Sequence, residues 1–304
     1  MRMKHSEPLI IDQASCSNCG LCINVCPFGN LKQSGGLVSY SGDKCLSCGH
    51  CAAACPNDAI SIADIEPSES VYKTFTIDSR WLQHGDYNTA GLVRLMASRR
   101  SCRNFDPRAV DREILEDLVK IGITAPSGTN SQSWTFTILP TRKAVVSFAG
   151  YVSLFFRKLN AMAEKRVLRT ALKIAGKSEL DAYYRDYYQL VKKALDEWEN
   201  NGKDRLFHGA VSAIIVGSAP GASCPAEDAL LATQNILLAA HSIGLGSCLI
   251  GFAVSAIKEA PAIKASIGIP MDESVHAVVA LGYPDEAYET VAGRKKPEMR
   301  YYEG

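Results

Sequence analysis

Long apolar runs are missing from this chain. No stretch of its 304 residues reaches the roughly 18 apolar positions that a bilayer-spanning helix needs. Excess charge of either sign is missing too. Lysine and arginine number 33, aspartate and glutamate 32, and the net charge is +1. That balance predicts no broad basic face, so neither nucleic acid nor a membrane surface is expected as a partner. The opening MRMKHSEPLIIDQ has no apolar h-region, so a cytoplasmic location is expected. Also absent are a Ser-His-Asp set, a paired-carboxylate motif and a P-loop. Hydrolysis and phosphoryl transfer therefore find no support.

Apolar residues make up 47% of the chain, and the length suits about two domains. Eleven cysteines are present, eight of them between positions 16 and 55. Disulfides would explain such density in an oxidising compartment, to which nothing here directs the chain. Zinc needs four ligands, not eight. The runs CSNCGLCINVCP, 16–27, and CLSCGHCAAACP, 45–56, each read C-x2-C-x2-C-x3-C-P. That is the spacing of bacterial ferredoxins, in which the fourth cysteine serves the other cluster. Three closely spaced thiolates grip three irons of a cubane, and the fourth iron needs a remote ligand.

Cys16, Cys19, Cys22 and Cys55 are thus assigned to one [4Fe-4S] cluster, and Cys45, Cys48, Cys51 and Cys26 to a second. The resemblance to a two-cluster ferredoxin covers about residues 8–65, and a first domain is expected over 1–65. Gly20 and Gly49 lie where the backbone must bend around a cluster. His50 sits between two ligand cysteines as a neighbour rather than a ligand, and Asp12 and Lys44 read as exposed charges. The remaining thiols, Cys102, Cys224 and Cys248, read as small buried hydrophobes.

Residues 66–88 lose the cysteine pattern and read as linker. Phe75, Ile77 and Trp81 are too apolar for a free tether, so this segment is expected to lie against a second domain, 89–304. TAGLVRLMASRR places Leu92, Leu95 and Met96 on one helical face. RRSCRNFDPRAV, 99–110, crowds Arg99, Arg100, Ser101, Arg103 and Arg108 together, either as a solvated face or as an anion site. Asp111 is expected to cap the helix DREILEDLVKIG, with Val110 and Leu115 as its staple. Turn chemistry follows at APSGTN, then Asn130, Ser131 and Gln132, whose amides and hydroxyl suit a heterocycle, and then a strand, WTFTIL.

RRSCRNF, APSGTNSQSW, the late GLGSCLIGF and VALGYP together resemble the nitroreductase family of flavoenzymes, over about 89–300 apart from an insertion. The resemblance implies an α+β fold with a mixed sheet flanked by helices, an obligate homodimer, and one FMN per subunit at the dimer interface. By position it implies that Arg99, Arg100, Ser101 and Arg103 hold the FMN phosphate and ribityl chain. Asn130, Ser131 and Gln132 would contact the ring, from the same chain or its partner. Gly246 and Ser247 would approach the flavin, and Arg294 and Lys295 would complete the phosphate site. No protein side chain is expected to be catalytic, since the cofactor carries the chemistry.

The insertion, about 150–206, carries Leu180, Tyr184, Tyr187, Val191, Ala194 and Trp198 at helical steps, a single narrow-seamed helix ended by Asn200, Asn201 and Gly202. Dimer packing and a lid over the flavin both fit it. HGAVSAIIVGSAP, 208–220, reads as a buried strand and HAVVALGYP, 276–284, as the last core strand. Ala229–Ala240, apolar nearly all round, reads as a central helix.

The expected function is an FMN-dependent oxidoreductase in which electrons pass between two clusters and FMN, and then to a small organic acceptor such as a nitroaromatic or quinone. Reductive dehalogenation is a third possibility of the same class. NAD(P)H, external ferredoxin or another low-potential reductase is the expected donor. The competing class is an electron-transfer or redox-sensing module serving a partner enzyme.

Overall fold

A computed structural model describes residues 8–42 and 44–304. The first seven residues of the expected 1–65 domain, and Asp43, lie outside the described residues.

The N-terminal unit is built twice from one pattern. β1 (Leu9–Ile11), α1 (Leu21–Val25) and β2 (Leu31–Ser34) are followed by β3 (Leu37–Tyr40), α2 (His50–Ala53) and β4 (Ile60–Ile62). β1 pairs antiparallel with β4, and β2 with β3. The backbone repeats as closely as the sequence. Two residues after the first cysteine of each run, Asn18 and Ser47 take positive φ of 56° and 50°. Gly20 and Gly49 follow at 75° and 73°, leading into α1 and α2. Only glycine enters that region without penalty, so each cysteine loop closes onto its short helix there. Leu9, Leu31, Val38, Ile60 and Ile62 form the small core between the halves.

Past a single 3-10 turn (Pro67–Ser70), the connecting segment is riveted to α4 (Arg112–Gly122). The Lys73 and Thr74 N–H groups and the Thr74 hydroxyl all donate to Asp117, which is 1% exposed. Lys120 Nζ donates to the Ser68 and Val71 carbonyls, and Lys73 pairs with Glu116. Asp111 stands at the N-cap of α4 without a side-chain cap bond.

The second domain is a four-stranded sheet in the order β5 (Trp134–Leu139), β6 (Ser212–Ser218), β8 (Ser274–Gly282), β7 (Gly246–Leu249). Every pair in it is antiparallel, and a parallel bridge, Ser101 to Ser247, adds one more segment at the β7 edge. β6 is buried at all seven positions. β-branched Ile214, Ile215 and Val216 suit a strand covered on both faces, each burial contributing about 1.5–3 kcal/mol. On one face lie α4 and α9 (Pro225–Ser242), with Leu115, Leu118, Ile236 and Ala240 in one cluster. On the other lie α5 (Arg142–Ala163) and α10 (Gly251–Glu259), around Phe148, Phe207 and Val278.

Two local expectations need correction. The helix expected through Leu180 and Trp198 is two helices, α7 (Glu179–Asp186) and α8 (Tyr188–Asn201), broken at Tyr187 with φ −128° and ψ −25°. The break lets Tyr183 and Tyr187 reach the aromatic cluster of Phe156 and Phe252 while Tyr188 bonds Glu164. Second, α9 is not buried all round: Leu230 and Leu231 are half exposed. The helix expected over Leu92, Leu95 and Met96 forms as α3 (Thr89–Ser98); it buries no residue fully, and Leu92, Val93 and Met96 face outward. Among the described residues, no helix is long and apolar enough to cross a membrane.

Candidate functional site

In the N-terminal unit, a small pocket is lined by Cys26, Cys45, Cys48 and Cys51 together with Tyr40 and Ile62. The chain thus brings the fourth cysteine of the first run to the first three of the second. The sulfurs receive backbone N–H groups in a repeated pattern: Asn30 N to Cys26 at 3.3 Å and Ala59 N to Cys55 at 3.3 Å, each four residues on. Ser47 N reaches Cys45 Sγ at 3.4 Å. N–H groups aimed at sulfur favour thiolate ligands, and such bonds tune iron–sulfur centres. Among the described residues, no three His, Cys, Asp or Glu side chains converge on a single-ion site. Thiols spaced around a pocket suit a multi-iron cluster better than one zinc ion. Cys19 is exposed and Cys22 buried.

The second candidate site is assembled at the β7 edge. Ser101 lies beside Ser247, and Cys102 N donates to the Ser247 carbonyl at 2.9 Å. Gly246 makes that approach possible: a Cβ there would stand 2.8 Å from Cys102 Cβ and Sγ. Glu286 pins the next residues, accepting from Arg103 N at 2.8 Å and Asn104 Nδ2 at 3.2 Å. Burial alone would raise the Glu286 pKa. The Tyr288 hydroxyl and the Arg103 and Asn104 N–H groups outweigh it and hold the carboxyl below its usual range. The arginine segment is therefore fixed from both sides.

Glu286 stands beside Arg103 of this segment. Arg99 is held below the ordinary guanidinium value by burial first, then by the like charges of Arg100 and Arg294. The tail thus returns Arg294 to the Arg99 neighbourhood, where its Nη1 donates to the Ala292 and Gly293 carbonyls. Lys295 is exposed next to it. Among the described residues, Ser247 Oγ is buried with no hydrogen-bond partner. Clustered guanidiniums and an orphaned hydroxyl are what an anionic, hydroxyl-bearing ligand would satisfy, and the flavin phosphate and ribityl chain are such a ligand.

The Gly128–Gln132 loop is the third part. Thr129, Asn130 and Gln132 all have positive φ, 52°, 53° and 45°. Such backbone persists only where surroundings over-determine it. Asp228, buried in the first turn of α9, does much of this: Oδ1 accepts from Gly128 N at 2.9 Å and Oδ2 from the Ser131 hydroxyl at 3.3 Å. Gln132 N donates to Ser127 Oγ at 3.0 Å. Asn130 Nδ2 donates to the Leu46 and Ser47 carbonyls, 3.0 Å each, in the cysteine loop of the first domain. Asp228 and Glu286 were not found by sequence reasoning, because an acidic residue in a first helical turn or a tail is commonplace. Of the isolated thiols, Cys102 and Cys248 are buried, and burial pushes Cys102 up to about 11. Cys224, at the start of α9, is exposed instead.

The fold and the two candidate sites suit a redox protein, with thiols gathered in one part and guanidiniums in the other. The chain belongs to the nitroreductase family, whose match covers residues 96–283, and residues 15–60 match a 4Fe-4S dicluster domain. It is an oxidoreductase. It is similar to a putative NADH dehydrogenase/NAD(P)H nitroreductase of Archaeoglobus fulgidus, 25% identical over 64% of this chain and 86% of that one. The N-terminal part is similar to an uncharacterised ferredoxin of Methanocaldococcus jannaschii, 35% identical over 20% of this chain and 84% of that one. Among solved structures, a nitroreductase with bound FMN from Bacteroides fragilis superimposes with a TM-score of 0.51. It is 22% identical, over 71% of this chain and all of that one.

Proposed function

We propose that this chain is an FMN-dependent oxidoreductase that exchanges electrons between two [4Fe-4S] clusters in its own N-terminal domain and an FMN in its second, and reduces a small organic acceptor such as a nitroaromatic or quinone. The observation that carries the flavin assignment is the gathering of Arg99, Arg100 and Arg294, together with the buried Ser247 hydroxyl that has no partner among the described residues. When bound, the clusters supply one-electron carriers and FMN the junction to two-electron chemistry.

Cys16, Cys19, Cys22 and Cys55 would hold one cluster, and Cys26, Cys45, Cys48 and Cys51 the other. Arg99, Arg100, Arg103, Arg294 and Lys295 would neutralise the FMN phosphate, and Ser101 and Ser247 would meet its ribityl hydroxyls. Asn130, Ser131 and Gln132 would contact the ring, and the Gly246 backbone would approach it. The division proposed is 1–65, 66–88 and 89–304, and the bonds from Thr74 to Asp117 support a middle segment that lies on the second domain.

The outward apolar residues of α3 and α9, Leu92, Val93, Met96, Leu230 and Leu231, fit a homodimer interface. A cytoplasmic location suits eight cysteines that must stay reduced to bind iron. NADH, NADPH and reduced ferredoxin are the candidate donors.

Anaerobic reconstitution followed by stopped-flow reduction with each donor tests this reading. Flavin and iron–sulfur absorbance, with about eight irons per chain, is the expected result. Protein without flavin, or with about four irons or fewer, would overturn it. Turnover of nitroaromatics or quinones, lost in cysteine-to-serine variants, is expected. Cofactor loading without any turnover would leave an electron-relay module.

A further inference from the structure

Beyond Thr74 the connecting segment loses its hold on its own chain. From Thr76 to Arg94 every residue is exposed. Asp78 pairs with Arg80, Asp86 N donates to the Gln83 carbonyl, Trp81 meets His84 edge-on, and Asn88 caps α3. All of these contacts are local. Among the described residues, no hydrogen bond, ion pair or ring contact of 76–88 reaches past the first turn of α3.

The composition is nevertheless wrong for a free tether. Ile77, Leu82 and Tyr87 stand exposed, and Trp81 is 75% exposed. Disordered linkers are poor in aromatic and β-branched residues, whereas Trp and Tyr are the usual anchors of protein interfaces. The segment's charges are Asp78, Arg80 and Asp86, with no basic run for anionic lipid or nucleic acid.

The whole chain has the same character. It exposes 19168 Å². A compact monomer of its 32.9 kDa would expose about 12,500 Å². The excess, roughly 6,700 Å², more than covers the about 1,000–2,500 Å² that each partner gives to an obligate dimer interface. Two unbroken exposed runs, 76–94 and 287–304, contribute to it.

We infer that residues 76–88 lie on a second copy of this chain, so that each subunit grips the interdomain connector of the other. Resting on the homodimer proposed above, this surface extends beyond α3 and α9. The segment runs directly through its Asn88 cap into α3, whose Leu92, Val93 and Met96 face outward. Exposed apolar side chains thus continue from Ile77 to Met96, and a partner that covers the helix meets the connector next. Residues 73 and 74 stay on the chain's own Asp117. The connector is then held at one end by its own α4 and along the rest by the partner, which makes the placement of the cysteine domain a property of the pair.

Photo-crosslinking of the reconstituted holoprotein tests this contact. With Leu82→p-benzoylphenylalanine, irradiation is expected to give a product of two chains' mass. The double variant Trp81→Ser, Leu82→Ser is expected to weaken the dimer at least about tenfold in sedimentation, from the apolar burial it removes. Both side chains are exposed in the single subunit, so its own core is untouched and its iron content should hold. A dimer whose crosslinks from position 82 stay within one chain, or do not form, overturns the inference and leaves the homodimer standing on α3 and α9. Undiminished dimer affinity in the double variant also overturns it. A monomeric wild type removes both the homodimer and the contact. If the wild-type chain takes up neither iron nor flavin, the proposed function fails, whereas the crosslink still judges this surface.

Discussion

Thr74 donates twice to one oxygen of Asp117: its backbone N–H and its hydroxyl both reach Oδ2 at 2.7 Å. With Lys73 N on the same carboxylate, this single buried group fastens the interdomain segment to α4. Burial alone would raise the Asp117 pKa. The Thr74 hydroxyl and the Lys73 and Thr74 N–H groups outweigh it and hold the carboxyl below its usual range.

Asp117→Asn keeps the size but replaces an acceptor by a donor facing these N–H groups. The expected cost is about 1–3 kcal/mol, from buried donors left unsatisfied. Limited proteolysis should show new cleavage between Tyr72 and Trp81 in the variant, with the wild type protected there. Equal protection in both would show that the rivet does not hold the segment.

Arg99→Ala should weaken FMN binding about 10- to 100-fold, the value of a lost charge-assisted contact. Flavin absorbance after gel filtration reads this directly. Arg294→Ala should act in the same direction, because the two guanidiniums share one neighbourhood. Full flavin retention in both variants would move the phosphate elsewhere.

Cys26→Ser should disturb the centre of Cys45, Cys48 and Cys51, with which it lines one pocket. Iron should fall from about eight to about four per chain, and one of two spectroscopic signals should vanish. Loss of the same signal in Cys45→Ser would establish the crossed ligation. If Cys26→Ser instead matched Cys16→Ser, ligation would run within each motif.

His208 lies half-buried at φ 57°, and burial is the first cause holding its pKa below the ordinary 6.5. The folded state therefore favours neutral imidazole. The stability this contributes is present above pH 6.5 and is lost as pH falls through the lower folded value. His208→Asn accepts the same backbone and has nothing to protonate. The melting temperature should thus drop more from pH 7.5 to 5.5 in wild type than in the variant; parallel drops would dismiss this group as the cause.

Leu231→Asp places a charge on the exposed apolar face of α9. Sedimentation should show the wild type as a dimer and the variant shifted toward monomer. A variant that remains dimeric would place the interface elsewhere.

Much of this protein is legible in one dimension because its chemistry is local. Four cysteines in eleven residues specify a cluster loop, and Gly20 and Gly49 supply the bends that the loop needs. The buried β6 and the helix following Asp111 announce themselves by their apolar periods. What the sequence left open depends on distant partners. The helix break at Tyr187 is set by the aromatic cluster with Phe252, 65 positions on, which local periodicity does not register. The roles of Asp117, Asp228 and Glu286 exist only through backbone N–H groups brought from elsewhere, and carboxylates of such ordinary placement carry no signal. The same holds for Asn130. Composition marks it as a turn residue with a free amide, but only the packing of one domain on another decides which carbonyls that amide meets.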